Sequence, residues 1–132
     1  MTAPDSRLRP PPAERFAGPE HHIDFDTVLR RLRSEASPVR GGHRQETVYH
    51  RGAVRLMLFA FDAGGRLESH QAPGLVTIQS LHGTLQVTTA TARYDVEPLQ
   101  ALVLDPGVPH DVEARTEADM LLTVHLEPPP AP

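Results

Sequence analysis

The sequence predicts an all-β fold, an antiparallel sandwich or short barrel preceded by one short helix. Three observations support this prediction. Short runs of β-forming residues alternate with turn residues between positions 46 and 126. One stretch, residues 24–36, has the apolar spacing of a helix. The chain has 132 residues, a length that suits one domain with a single core.

The helix is predicted over residues 24–36, and we expect it to pack against the sheet as a lid or edge cover. Asp24 is a suitable amino-terminal cap, and Pro38 followed by Gly41-Gly42 ends the helix. One face carries apolar residues at helical spacing, namely Phe25, Val28 or Leu29, Leu32 and Ala36.

Nine strands follow, separated by turn residues. They are predicted at Glu46–His50, Ala53–Phe61, Leu67–His70, Val76–Leu81, Leu85–Thr89, Ala92–Val96, Ala101–Leu104, Asp111–Ala114 and Met120–Leu126. The strand Ala53–Phe61 is apolar on one face and carries Arg55, Met57, Phe59 and Phe61 on the other. Both faces are therefore expected to be partly buried, either in a sandwich interior or in the sheet of a dimer.

Proline-rich tails flank this body. Because proline has no backbone N–H, runs such as Pro10–Pro12 and Pro128–Pro130 cannot donate to a helix or sheet. We expect residues 1–20 and 127–132 to be disordered and residues 21–126 to form the domain. The sequence shows no apolar segment typical of a signal peptide or of a membrane-spanning helix, so we expect a cytoplasmic protein.

Composition excludes several kinds of site. The formal net charge is −4, which gives no general attraction to nucleic acid or to an anionic membrane. The absence of cysteine excludes disulfides, thiolate metal sites and a cysteine nucleophile. Arg30, Arg31 and Arg33 form the one dense basic cluster; we interpret it as a solvated helix face, with a phosphate-binding patch as the alternative.

Two stretches carry a resemblance to a known family. Gly65 to His70, with Gly83 after an apolar strand, resembles the first cupin motif, and Asp105 to His110 resembles the second. The resemblance spans roughly residues 46 to 126 and is to small, single-domain, RmlC-like cupins with a His-x-Ala-Pro first motif, here His70 to Pro73. It implies an antiparallel jelly-roll β-barrel or sandwich, and it implies a homodimer.

The resemblance also implies a pocket between the sheets. His70 matches the first metal ligand of the family and His110 matches the histidine of the second motif, but Ala72 and Val76 stand where a histidine and a glutamate are usual. Gln71 is a further candidate for the pocket, although alternation along the strand turns it away unless a bulge intervenes. A divalent transition metal on His70 and His110 would lack half of the usual ligands.

The second motif departs from the family pattern in other places. Leu99 stands where a glycine is common, and Ala114 stands where an asparagine is common. Asp105 takes the usual proline position, with Pro106 moved one residue along.

The other polar residues are weaker candidates. We expect His125 to face outward because its parity is opposite to that of Leu122 and Val124. We interpret His43 and His82 as loop or turn residues. The remaining histidines are expected at the surface or beside the tail; they are His21, His22 and His50. The scattered acids are expected at the surface; they are Glu46, Glu68, Asp95, Glu97, Asp111 and Glu113.

Three functions remain open. The first is a cupin that binds a small organic molecule in its pocket without a complete metal site. The second is a metal-dependent enzyme, of the oxygenase or isomerase type by family analogy, that uses His70 and His110. The third is a dimeric structural or interaction module. The sequence does not decide whether a reaction is catalysed, because one fold hosts many chemistries.

Overall fold

The computed structural model describes residues 15–35, 41–70 and 72–127, with the backbone alone for Ser69 and His70. It contains one helix, α1 (Phe25–Ser34), and nine strands. The strands are β1 (His43–Arg51), β2 (Val54–Phe61), β3 (Arg66–His70), β4 (Gly74–His82), β5 (Leu85–Thr88), β6 (Arg93–Val96), β7 (Ala101–Leu104), β8 (His110–Ala114) and β9 (Ala118–Leu126). Each predicted strand is present, with boundaries that shift by up to three residues.

The strands form two antiparallel sheets. One sheet has five strands in the order β1-β2-β9-β4-β7, and the other has four in the order β3-β8-β5-β6. The chain crosses between the sheets repeatedly, so strands that are distant in sequence become neighbours, as in the pairing of β2 with β9. This is the antiparallel jelly-roll arrangement that the sequence predicts.

The main core lies between the two sheets. Alternation along each strand sends one set of side chains inward. From the larger sheet these include Phe59, Phe61, Ile78 and Met120, and from the smaller sheet they include Val112. All five side chains are at most 2% exposed.

A second, smaller core lies outside the larger sheet, beneath α1. Leu29 and Leu32 of the helix pack with Leu58, Ala60 and Leu121 of the sheet. The strand β2 is thus buried on both faces within one chain, by the sandwich interior on one side and by the helix on the other. Its apolar faces therefore need no partner subunit to cover them.

The helix begins as predicted. Asp24 caps it, with the Asp24 carboxylate accepting from the Thr27 backbone N–H at 3.3 Å and from the Thr27 hydroxyl at 2.8 Å. The hydroxyl bond first, and the backbone bond second, hold the pKa of Asp24 below its usual value. The helix ends at Ser34; Ala36 and Pro38, which the prediction also used, lie outside the described residues.

The interpretation of the arginine cluster as a solvated face holds for Arg30 and Arg31, which are exposed, and is wrong for Arg33, which is partly buried. Arg31 donates two hydrogen bonds to the carboxylate of Glu46, at 2.7 and 2.9 Å. Arg33 donates to the carboxylate of Asp119 and to the carbonyl of Ala118. Both arginines therefore hold the helix onto the sheet, whereas Arg30 remains exposed.

The prediction that Glu46 lies at the surface is also wrong. Its side chain is 8% exposed and is held by the paired hydrogen bonds from Arg31. The hydrogen bond to Glu46 raises the pKa of Arg31 above its usual value. The sequence places a charged residue on an alternating strand, and only the position of the helix shows that this strand face is covered.

The predicted tails fall mostly outside the described residues, which exclude 1–14 and 128–132. Residues 15–20, which the prediction assigned to the tail, are described. Phe16 is 7% exposed and packs against Tyr49 at 5.6 Å between ring centroids. Arg15 donates to the carbonyl of Thr47 at 2.6 Å. The packed part of the chain thus includes residues that we expected to be disordered.

No helix among the described residues is long and apolar enough to cross a membrane.

Replacing Glu46 with glutamine tests the ion pair beneath the helix. Glu46→Gln removes the carboxylate charge and one of the two acceptors, so we expect a loss of about 1–2 kcal/mol in the free energy of unfolding, reduced from the buried-pair range because Arg31 is half exposed. Urea unfolding followed by circular dichroism measures this loss.

Asp26→Asn is the matched control. Asp26 pairs with Arg30 at 2.9 Å on the exposed face of the same helix, and we expect a loss below about 0.5 kcal/mol there. Equal losses in the two variants would contradict the role given to Glu46.

Candidate functional site

The two motif histidines lie on adjacent strands. His70 is the last residue of β3 and His110 is the first residue of β8, and the two are Cα partners in the antiparallel ladder. The register shifts between Leu67 and His70, so an irregularity precedes the first histidine. The fold therefore brings the backbones of these two residues together across 40 residues of sequence. Gln71 lies outside the described residues.

A hydrogen bond also joins the turns that carry the two motifs. The backbone N–H of Gly107 donates to the carbonyl of Ala72 at 2.9 Å. Within the second motif, the N–H of Val108 donates to the carbonyl of Asp105 at 3.3 Å. The turn before β8 is thus held against Ala72, which follows His70 by two residues.

His110 is the buried polar residue of this site. It is 3% exposed and shares the inward face of β8 with Val112 and Ala114. Its Nδ1 lies 3.0 Å from the carbonyl oxygen of Val108. A carbonyl only accepts, so Nδ1 carries the proton, and in the neutral ring Nε2 then has the lone pair. Nε2 itself is shielded from solvent.

The two positions that depart from the family ligand set are buried. Ala72 is 7% exposed and Val76 is 2% exposed, and both belong to the core between the sheets. An alanine and a valine have no atom that binds a metal ion. Among the described residues, no group of three or more histidines and carboxylates is close enough to hold a metal.

The structure does not bring the other histidines to His110. His125 and His82 are exposed, and His50 is partly buried on β1. His21 packs edge-on against Tyr49 at 5.2 Å between ring centroids, beside the amino-terminal segment. Each of these positions is separate from the paired ends of β3 and β8.

His43 differs from our expectation of a loop residue. It is the first residue of β1, and its ring packs on Phe59 and Phe61 with centroid distances of 5.5 and 5.3 Å. Its Nδ1 lies 3.1 Å from the carbonyl oxygen of Arg66. The two glycines before it suggested a turn, but the register of His43 opposite Phe61 continues the sheet.

Leu99 keeps the backbone conformation of the glycine that it replaces. Its φ is +69°, which makes it the one non-glycine residue with positive φ in the described part of the chain. Its N–H donates to the carbonyl of Ser80 at 3.0 Å, and the N–H of Gln100 donates to the carbonyl of Glu97 at 2.9 Å. A left-handed leucine costs roughly 1–2 kcal/mol, so these contacts hold the turn in place against the strain.

Comparison with known proteins gives the fold. No family model and no curated protein matches the chain. An RmlC-like cupin from Shewanella frigidimarina is 14% identical, with a TM-score of 0.66 over 83% of this chain and 95% of that one. A cupin superfamily protein from Desulfitobacterium hafniense is 16% identical, with a TM-score of 0.63 over 69% of this chain and 84% of that one.

A third structure, an RmlC-like cupin protein from Desulfovibrio desulfuricans, is 24% identical, with a TM-score of 0.59 over 70% of this chain and 92% of that one. The element order, the two antiparallel sheets and these similarities agree. The chain therefore has the fold of small RmlC-like cupins.

Proposed function

We propose that this cupin binds a small organic molecule between its sheets, at the ends of β3 and β8, without the complete metal site of the family. The observation that carries the proposal is the state of His110. Its ring is buried in the interior, and the carbonyl of Val108 fixes the orientation of the ring through Nδ1.

The surroundings favour a ligand that is largely apolar. Ala72, Val76 and Val112 belong to the same buried core as the inward face of β8. Pockets for small molecules are typically apolar with a few placed polar groups. A phenol or a small carboxylic acid combines an apolar body with one group that hydrogen-bonds to an imidazole, and we propose a ligand of this kind.

The metal enzyme is the weaker candidate because two of the four family positions hold Ala72 and Val76. Transition-metal sites generally use three or four protein ligands. His110 alone supplies an imidazole from the described side chains, and His70 would add a second by resemblance. We assign no catalytic step.

Restoring the missing ligands tests the proposal directly. The variant Ala72→His/Val76→Glu adds an imidazole and a carboxylate, so we expect it to bind Ni²⁺, Zn²⁺ or Mn²⁺ at least about tenfold more tightly than the parent chain. A buried, unpaired carboxylate is costly, so metal should also raise the melting temperature of this variant. Calorimetric titration and thermal unfolding measure both effects.

Two controls accompany this variant. Ala72→His alone should give a smaller gain, and adding His110→Ala should abolish the gain. Parent protein that binds any of the three metals as tightly as the double variant would contradict the proposal and favour the metal enzyme.

Substituting His110 tests the ligand site. We expect a panel of phenols and small carboxylic acids, screened by ligand-observed NMR, to include binders whose affinity falls about tenfold in His110→Gln, because the proposed hydrogen bond is lost. His125→Gln, at an exposed position, is the control. Binding that is unchanged in His110→Gln, or the absence of any binder in the panel, would count against the pocket.

We also infer that the chain forms a homodimer through the part of the larger sheet that α1 leaves uncovered. The outward side chains of β4 and β7 in this part of the sheet are uncharged; they are Leu75, Thr77, Gln79, Ala101 and Val103. A two-fold interface sets one patch against itself, and an uncharged patch does so without repulsion. Val103 is 56% exposed, which is unusual for a large apolar side chain.

A charge at Val103 tests the dimer. Val103→Glu places two carboxylates near each other across the proposed two-fold axis, so we expect a dimer in the parent and a monomer in the variant, or at least about a tenfold weaker dimer. Light scattering coupled to size-exclusion chromatography measures the mass. Ala90→Glu, in the exposed turn between β5 and β6, is the control. A monomeric parent protein would refute the inference.

A further inference from the structure

A pocket lies at the seam where the edge strand β1 of one sheet faces the edge strand β3 of the other. Its volume is about 460 Å³, within the range of small-molecule sites. We call it the seam pocket, and its lining is Gly41, His43, Gly64, Arg66, Leu67 and Glu68. His110 is not among the lining residues.

Gly41 and Gly64 line the seam pocket with backbone that carries no side chain, and the glycines next to them hold the two sheets together. A Cβ at Gly42 would lie 2.7 Å from the Cα of Gly65, so the two sheets approach each other this closely only because Gly42 has no side chain. The carbonyl of Gly41 accepts from the N–H of Arg66 at 2.7 Å, and the carbonyl of Gly42 accepts from the N–H of Asp62 at 2.9 Å. These bonds fix the backbone beside the pocket, where the absence of glycine side chains lets a ligand approach closely.

The ring of His43 forms a second wall. Phe59 and Phe61 pack against it, and the carbonyl of Arg66 holds its Nδ1 at 3.1 Å. The imidazole plane is therefore fixed on the side of the core, while the remaining surface of the ring lines the pocket. A planar, fixed ring is a stacking surface for another ring.

The rim carries one donor group and one acceptor group. Arg66 and Glu68 lie on the same side of β3, with 3.6 Å between guanidinium and carboxylate, and their side chains are 57% and 69% exposed. The guanidinium of Arg66 also lies 3.6 Å from the carboxylate of Glu113. Exposed pairs at this separation are weak, so a ligand can replace them. A guanidinium only donates and a carboxylate only accepts.

We propose that the seam pocket binds a planar nitrogen heterocycle, stacked on His43, whose edge accepts a hydrogen bond from Arg66 and donates one to Glu68. Neighbouring acceptor and donor groups on one edge are the pattern of a nucleobase-like ring. The two rim charges cancel, so a neutral ring fits better than a simple anion. This site is additional to the one at His110 and does not depend on it.

The test is a titration of the full chain with adenine, cytosine and uracil, followed by ligand-observed NMR, with benzoate as a flat ring that lacks the donor–acceptor edge. We expect at least one base to bind more tightly than benzoate. His43→Ala should weaken that binding about tenfold through lost stacking, and His43→Phe should retain it within about twofold. Arg66→Gln and Glu68→Gln should each weaken it about fivefold or more.

Two further variants separate this site from others. His125→Ala, at an exposed position, and His110→Gln should both leave the affinity for the base unchanged. If His43→Ala does not fold, His43→Phe, Arg66→Gln and Glu68→Gln still decide the question. No base binding, benzoate binding as tightly as the bases, or affinity that is indifferent to His43→Ala and Arg66→Gln would overturn the proposal.

Discussion

The structure depends on the burial of β2 and β9 from both sides. These neighbouring strands lie in the larger sheet, with the sandwich core on one face and α1 on the other. Because side chains alternate, a slip of one residue would exchange Phe59 with Leu58 and place each against the wrong core. Because both faces of the sheet are buried, only one register places every side chain against its own core. The positions of the remaining strands follow from that register.

The candidate site is a consequence of that register. On β8, His110, Val112 and Ala114 face the core, while Asp111 and Glu113 face outward. The pairing of β3 with β8 then sets His70 opposite His110. Alternation along β4 buries Val76, and Ala72 is buried in the connection between β3 and β4, so both positions lie in the interior rather than at the surface. The seam pocket depends instead on the two sheet edges, where glycines permit close approach.

Local pattern was sufficient to predict the strands, the turns, the capping of α1 by Asp24 and the outward position of His125. It was not sufficient for contacts between distant segments. Glu46 is buried because Arg31 reaches it from the helix, and nothing in the strand around Glu46 indicates this. The two glycines before His43 predict a turn, whereas its place in the sheet follows from its pairing with Phe61, which the local sequence does not reveal. Phe16 lies between Pro12 and Pro19, and the prolines predict a tail there, although its ring packs against Tyr49.

The central claim is that the interior at His110 receives an organic ligand and lacks the complete metal site of the fold. The most direct measurement is elemental analysis of the purified, untagged protein before and after dialysis against a mild chelator, with circular dichroism on the same samples. The account predicts metal far below one equivalent per chain and an unchanged fold. Near-stoichiometric nickel, zinc, iron or manganese that survives dialysis and disappears in His110→Ala would contradict it.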